Sequence, residues 1–294
     1  MLVGAAVCPH PPLLVPAAMG DAGWPETLVP AEVVRSGAIA VPGATGSGPA
    51  STGAAAPQVT AASPAEQVDE QIRLLRGACF DAVRALADAA PDVVFVAGPG
   101  TVTRTYPGSA AGSLRAYGVA FDVGSGPPVL PLSLTIGGWL AARCLPDGCP
   151  RPAEFLEIAG ATPPGECLAL GASLAARAAR VALLVLGDGS ARRALGVPGA
   201  ADPAAAEFDT RLAGALGAAD ARALAAIDPA AADEVSAAGR VAWQVLAGAA
   251  LHGTGLHDTG LHDTAQAGPA PVRGRLRYAG APLDVGYAVA SWSA

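Results

Sequence analysis

Two uninterrupted apolar runs constrain this chain more than any other feature. Residues 92–97 read DVVFVA and residues 181–186 read VALLVL. Neither alternates. An alternating run suits a strand with one wet face; a continuous run of this length suits a strand covered on both faces, as in a sheet flanked by helices. Each run leads into a glycine loop, Gly98-Pro99-Gly100-Thr101 after the first and Gly187-Asp188-Gly189-Ser190 after the second. Residues 2–7 form a third such segment. It stops at Pro9-His10-Pro11-Pro12, because proline cannot donate to a ladder and stiffens the loop.

Helical signals lie between these runs. Ser63 and Glu66 have capping-box spacing, with Pro64 at the first helical position. Val68, Ile72, Leu75, Cys79, Val83 and Leu86 then recur at spacings of three and four, and Pro91 ends the pattern. Further helices are expected over 131–145, from Pro163-Pro164 to about Ala179, from Asp202-Pro203 onward with Phe208, Leu212 and Leu216 on one face, and over about 229–250. Residues 154–158, 275–278 and 285–290 are candidate strands. Strands alternating with helices predict an α/β fold with a central, mostly parallel sheet and helices on both faces.

One stretch departs from this pattern. Residues 36–63 read SGAIAVPGATGSGPASTGAAAPQVTAAS, with no period and no anchoring aromatics, and are expected to form a disordered insertion. No other break in composition divides the 294 residues, so a single domain over 1–294 is expected. Residues 254–264 contain a tandem duplication, TGLHDTGLHDT; its His and Asp residues are read as copies in a glycine-rich loop and not as a metal site.

Composition excludes several functions. The chain has no lysine, its 18 basic residues are all arginine, and its net charge is −7. No basic stripe is visible, so nucleic acid is not an expected partner. No apolar window has the length of a membrane helix. The start is apolar without a basic leader region, so a cytoplasmic location is expected. Five cysteines, an odd number without paired zinc-site spacing, read as reduced thiols.

The residues that can carry chemistry sit at strand ends, the edge where open α/β sheets bind ligands. His10 follows the first strand and can ligate a metal or move a proton. Asp188 and Ser190 follow the VALLVL run, and with His10 they form the candidate catalytic set. Thr101, Arg104 and Arg192 are candidate substrate contacts, the arginines because a guanidinium holds a carboxylate or phosphate in bidentate fashion. The bland reading of each is a loop residue satisfying nearby backbone.

Six motifs in order resemble the class III extradiol ring-cleavage dioxygenases, the LigB-like group, with relatives of the Memo type. They are Cys8-Pro9-His10-Pro11-Pro12, PDVVFVAGPGT at 91–101, Leu130-Pro131-Leu132-Ser133, Gly187-Asp188-Gly189-Ser190-Ala191, Glu207-Phe208-Asp209 and Ala238-Gly239-Arg240. The resemblance implies an α/β fold with a ring-cleavage pocket above the sheet. It also implies ferrous iron held by two His and one Glu, and a further His as acid and base. Only His10 matches a metal ligand in this pattern. The second His falls at Thr101, the acid–base His at Ala191, and the late Glu at Ala238 or Gly239. Two readings follow: an extradiol-type oxidoreductase opening a catecholic ring with Fe(II) in a rearranged site, or a metal-free pseudoenzyme or small-molecule binding protein on the same fold. A metal-free hydrolase or lyase using His10 and Asp188 is a third.

Overall fold

The computed structural model describes residues 1–16, 63–193, 202–252 and 272–294. In chain order the strands are β1 (Leu2–Cys8), β2 (Val93–Gly100), β3 (Arg104–Pro107), β4 (Ala111–Ser113), β5 (Asp122–Val123), β6 (Pro128–Leu130), β7 (Pro152–Ala159), β8 (Val181–Leu186), β9 (Arg273–Gly280) and β10 (Tyr287–Ser293). The helices are α1 (Pro64–Asp88), α2 (Leu132–Cys144), α3 (Pro164–Ala175), α4 (Pro203–Ala218), α5 (Ala221–Ala225), α6 (Pro229–Glu234) and α7 (Arg240–Leu251).

The expected sheet is present, but it is mixed rather than mostly parallel. Seven strands run in the order β3-β7-β2-β8-β1-β10-β9. The three pairings among β7, β2, β8 and β1 are parallel. The three outer pairings, β3–β7, β1–β10 and β10–β9, are antiparallel. For β9 and β10 the reason is connection length: β9 reaches β10 through 281–286, too short for the crossover that a parallel neighbour needs. A small second sheet has the order β5-β4-β6.

The continuous apolar runs do what the sequence predicts. Along β8, Val181, Leu183 and Val185 face one core, and Ala182, Leu184 and Leu186 face the other. The first core packs β8 against α3, α4 and α7; the second packs it against α1 and α2. α1 starts at the predicted box: Ser63 Oγ accepts from the Glu66 amide at 3.3 Å, and Glu66 Oε2 accepts from the Ser63 amide at 2.6 Å. α3 and α7 approach almost backbone to backbone. A Cβ on Gly171 would lie 1.9 Å from the Val245 carbonyl, and one on Gly248 would lie 2.1 Å from that of Leu168.

Three local expectations are corrected. Gly98 to Gly100 are not a loop but the last residues of β2, held in register with β7 through Gly100↔Ala159. The helix from Pro164 ends at Ala175, not near Ala179. The helix expected over 229–250 is two: α6 ends at Glu234, Ser236 has a φ of 54°, and Gly239 caps α7. The break releases backbone groups for other work, since the Val235 carbonyl accepts from the Ala191 amide and the Gly239 amide donates to the Asp188 carbonyl. The expected insertion at 36–63 lies outside the described residues apart from Ser63, as does the repeat at 254–264.

Candidate functional site

Strand order places the site. From β1 the chain runs to β2 and β7 with α1 and α2 on one face, then returns to β8, between β1 and β2, with α3 on the other. The chain leaves β8 toward α4 on that second face. At the carboxyl ends of β1 and β8 the backbone therefore departs to opposite faces, and such a switch in strand order is where open α/β sheets have their ligand crevice. Cys8 pairs with Leu186, so His10 and Asp188 lie two residues beyond paired positions on neighbouring strands.

These two residues meet. Asp188 Oδ1 accepts from the His10 backbone amide at 2.8 Å, and His10 Nδ1 stands 3.4 Å from the same oxygen. That second contact lacks hydrogen-bond geometry, so the buried Nδ1 has no partner. His10 is 8% exposed. The Asp188 loop is held from three sides: Gly187 donates to the Cys8 carbonyl, Gly239 donates to that of Asp188, and Gly189 donates to that of Gly286. Asp188 Oδ2 accepts no hydrogen bond from the described residues.

A second buried polar atom without a partner lies beside this loop. Trp243 is 1% exposed and its Nε1 donates to nothing among the described residues. A Cβ on Gly187 would come within 2.9 Å of that nitrogen, and one on Gly239 within 2.2 Å of the indole ring. Glycine at both positions is what lets the indole lie against the loop. Burial pushes the Tyr287 hydroxyl well above its ordinary range, and the nearby Asp188 charge adds to the shift. The Cys79 thiol is raised by burial first, then by Cys8 beside it, with a smaller effect from Asp188.

Ser190 is turned away from His10. It is fully buried, its Oγ donates to Asp209 Oδ2 at 2.6 Å, and its amide donates to Asp209 Oδ1 at 2.8 Å. Arg193 Nε also donates to Asp209 Oδ2, at 2.8 Å. Ser190 therefore ties the loop to α4 and does not face the crevice as a nucleophile. Arg192 is exposed and donates to the Glu234 carbonyl at 3.1 Å.

Thr101 and Arg104 belong to a different cluster, around Glu157 on β7. Glu157 Oε1 accepts from the Thr101 amide at 2.8 Å and the Val102 amide at 3.3 Å, and Oε2 accepts from the Tyr106 hydroxyl at 2.6 Å. Arg104 Nε donates to the same hydroxyl at 2.7 Å and lies over the Tyr106 ring. Burial alone would raise the Glu157 pKa, but these hydrogen bonds and the Arg104 charge together hold it below its ordinary value. β2 is two strands from β1 and β3 is four. At about 4.8 Å per strand, Arg104 lies on the order of 19 Å along the edge from the His10 strand. It is not brought to the His10–Asp188 pair.

Glu157 and Trp243 are absent from the candidates read from sequence. Glu157 had a signal: a carboxylate in the apolar run EFLEIA, at a position the strand must bury. Trp243 had none, because its role depends on Gly187 and Gly239 arriving beside it.

Ferrous iron takes about three His or carboxylate donors on one face of the metal. Here Thr101 contributes its amide to Glu157, Ala191 and Ala238 have no donor side chain, and Gly239 has no side chain at all. Among the described residues no group of three His, Cys, Asp or Glu is placed to hold a metal ion. This donor set does not fit iron.

No family model and no curated protein matches the chain. Among solved structures it is similar to that titled "Crystal structure of uncharacterized protein JW3007 from Escherichia coli K12", at 13% identity and a TM-score of 0.44, over 73% of this chain and 92% of that one. No residue role is carried over from it.

Proposed function

We propose that this chain is a LigB-like small-molecule binding protein that takes a catechol-like ligand between His10 and Asp188 without iron. The observation that carries the reading is the unpartnered Nδ1 of His10, buried beside Asp188 at the strand-order switch. A buried polar atom without a partner costs about 1–3 kcal/mol, so a site that tolerates one is suited to a guest that satisfies it. Asp188 Oδ2 is an acceptor for a phenolic hydroxyl, and His10 stands beside Asp188 on the neighbouring strand end. No step through a metal is part of this reading, because one imidazole and one carboxylate make a loose, weak site.

The test has two arms. Catechol and protocatechuate are titrated into the protein by calorimetry, and the protein is separately reconstituted with ferrous iron under anaerobic conditions for metal analysis and a catechol assay. Saturable binding that weakens about tenfold in His10→Ala, with no stoichiometric iron and no ring-opened product, is expected. Stoichiometric iron with yellow ring-opened product, both lost in His10→Ala, would instead establish the oxidoreductase. No binding of either catechol would remove the ligand class.

A further inference from the structure

The loop after β8 has a second face. Asp188 turns toward His10, whereas Gly189 and Arg193 border a cavity of about 350 Å³ between α4 and the β9–β10 hairpin. Its walls are largely apolar, with Leu212 and Ala213 from α4, Leu276 and Ala279 from β9, and Ala288 from β10. Arg193 is the basic residue among those lining it. This side chain is 27% exposed and bonds Asp209 through Nε. Its two Nη groups have no partner among the described residues.

Committing Nε to Asp209 orients the guanidinium and leaves the end-on pair of Nη–H groups. That pair matches the two oxygens of a carboxylate. The volume is at the small end of ordinary ligand pockets, about 300–1,000 Å³. Charge narrows the choice further. Asp209 stands in the same wall, so a dianion such as phosphate would meet a like charge that a monoanion meets only half as strongly. The apolar walls call for an apolar body behind the acid group. We propose that this cavity is a binding site for a small apolar monocarboxylate, with Arg193 holding the carboxylate and the α4 and β9 side chains enclosing the body.

The full chain is titrated by calorimetry with octanoate, with benzoate, and with 1-octanol as the uncharged control. Saturable binding of at least one acid is expected, about tenfold tighter than octanol and about tenfold weaker in Arg193→Gln. Which acid binds better distinguishes an alkyl from an aryl source. Arg193→Gln can also loosen the loop, so a second variant is used. Gly214 borders the cavity on an exposed stretch of α4, and a Cβ there meets nothing within 4 Å, so Gly214→Leu adds a bulky side chain at the cavity's rim with room at its Cβ and favours the helix. It is expected to weaken binding while the circular dichroism spectrum is kept. Octanol binding as tightly as the acids, full binding in Gly214→Leu, or no saturable binding of either acid would overturn the site.

Discussion

At Ser190 a buried hydroxyl, a backbone amide and, from Arg193, a guanidinium converge on the Asp209 carboxylate. Gly189 and Gly286 close around it; a Cβ on Gly286 would sit 2.1 Å from Asp209 Oδ2. Replacing one partner of such a buried charged network costs more than the network adds over an apolar core, because the remaining groups are left unpaired. Asp209→Asn is therefore expected to destabilise the protein by about 3 kcal/mol in urea unfolding, with an unchanged denaturant slope. A loss below about 0.5 kcal/mol, the range of an ordinary surface change, would show that the network holds nothing. The two residues flanking this knot divide the work. Asp188 faces His10 and Ser190 faces α4, so the backbone between them does not continue the alternation of β8, which would put both side chains on one side.

Elements are held at their ends by equally local chemistry. Glu157 collects the amides of Thr101 and Val102, which fixes the turn from β2 into β3. Its pKa lies below the ordinary carboxylate value of 4.5 in the folded chain, so its ionised form stabilises the fold above that value. The contribution is lost as the pH falls through the folded pKa. The stability gap between the native protein and Glu157→Gln is expected to stay constant from neutrality down to the ordinary value and to shrink below it, as read by urea unfolding across acid pH. A gap that does not change with pH would mean that folding leaves the pKa of this carboxyl where it is in the unfolded chain. At the start of α1, Ser63→Ala removes the acceptor for the Glu66 amide and should cost about 1 kcal/mol. Where α3 meets α7 the contact has no room. Gly248→Val places side-chain atoms on the Leu168 carbonyl and should cost about 3 kcal/mol or prevent folding, measured by thermal unfolding.

For the whole molecule, the sheet separates two apolar cores, and most of the thiols lie inside them. Cys8, Cys79, Cys144 and Cys167 are buried, and only Cys149 of the five is half-exposed. Burial pushes the Cys144 thiol up to about 11 and raises Cys167 as well, so little thiolate forms at neutral pH. A thiol-reactive chromophore is therefore expected to modify one cysteine quickly in the native protein and all five in denaturant. Rapid native reaction of more than one would show that a core opens. Much of this architecture was legible beforehand. DVVFVA and VALLVL announced strands covered on both faces, Ser63 with Glu66 announced a helix start, and Asp202-Pro203 announced another, because each signal involves residues adjacent or a few positions apart. His10 and Asp188 were legible as strand-end residues for the same reason. By itself, then, the sequence determined the long buried strands, the capped helix starts and the polar residues at their ends, but not the short strands β3 to β6 or the break between α6 and α7. Tertiary structure alone decided that β8 lies between β1 and β2, which brings His10 to Asp188 across 178 positions. It alone turned Ser190 to Asp209, drew Thr101 and Arg104 to Glu157, and laid Trp243 against Gly187. Strand order and the side to which a loop residue points are set by packing between distant segments, and a local pattern does not encode such contacts.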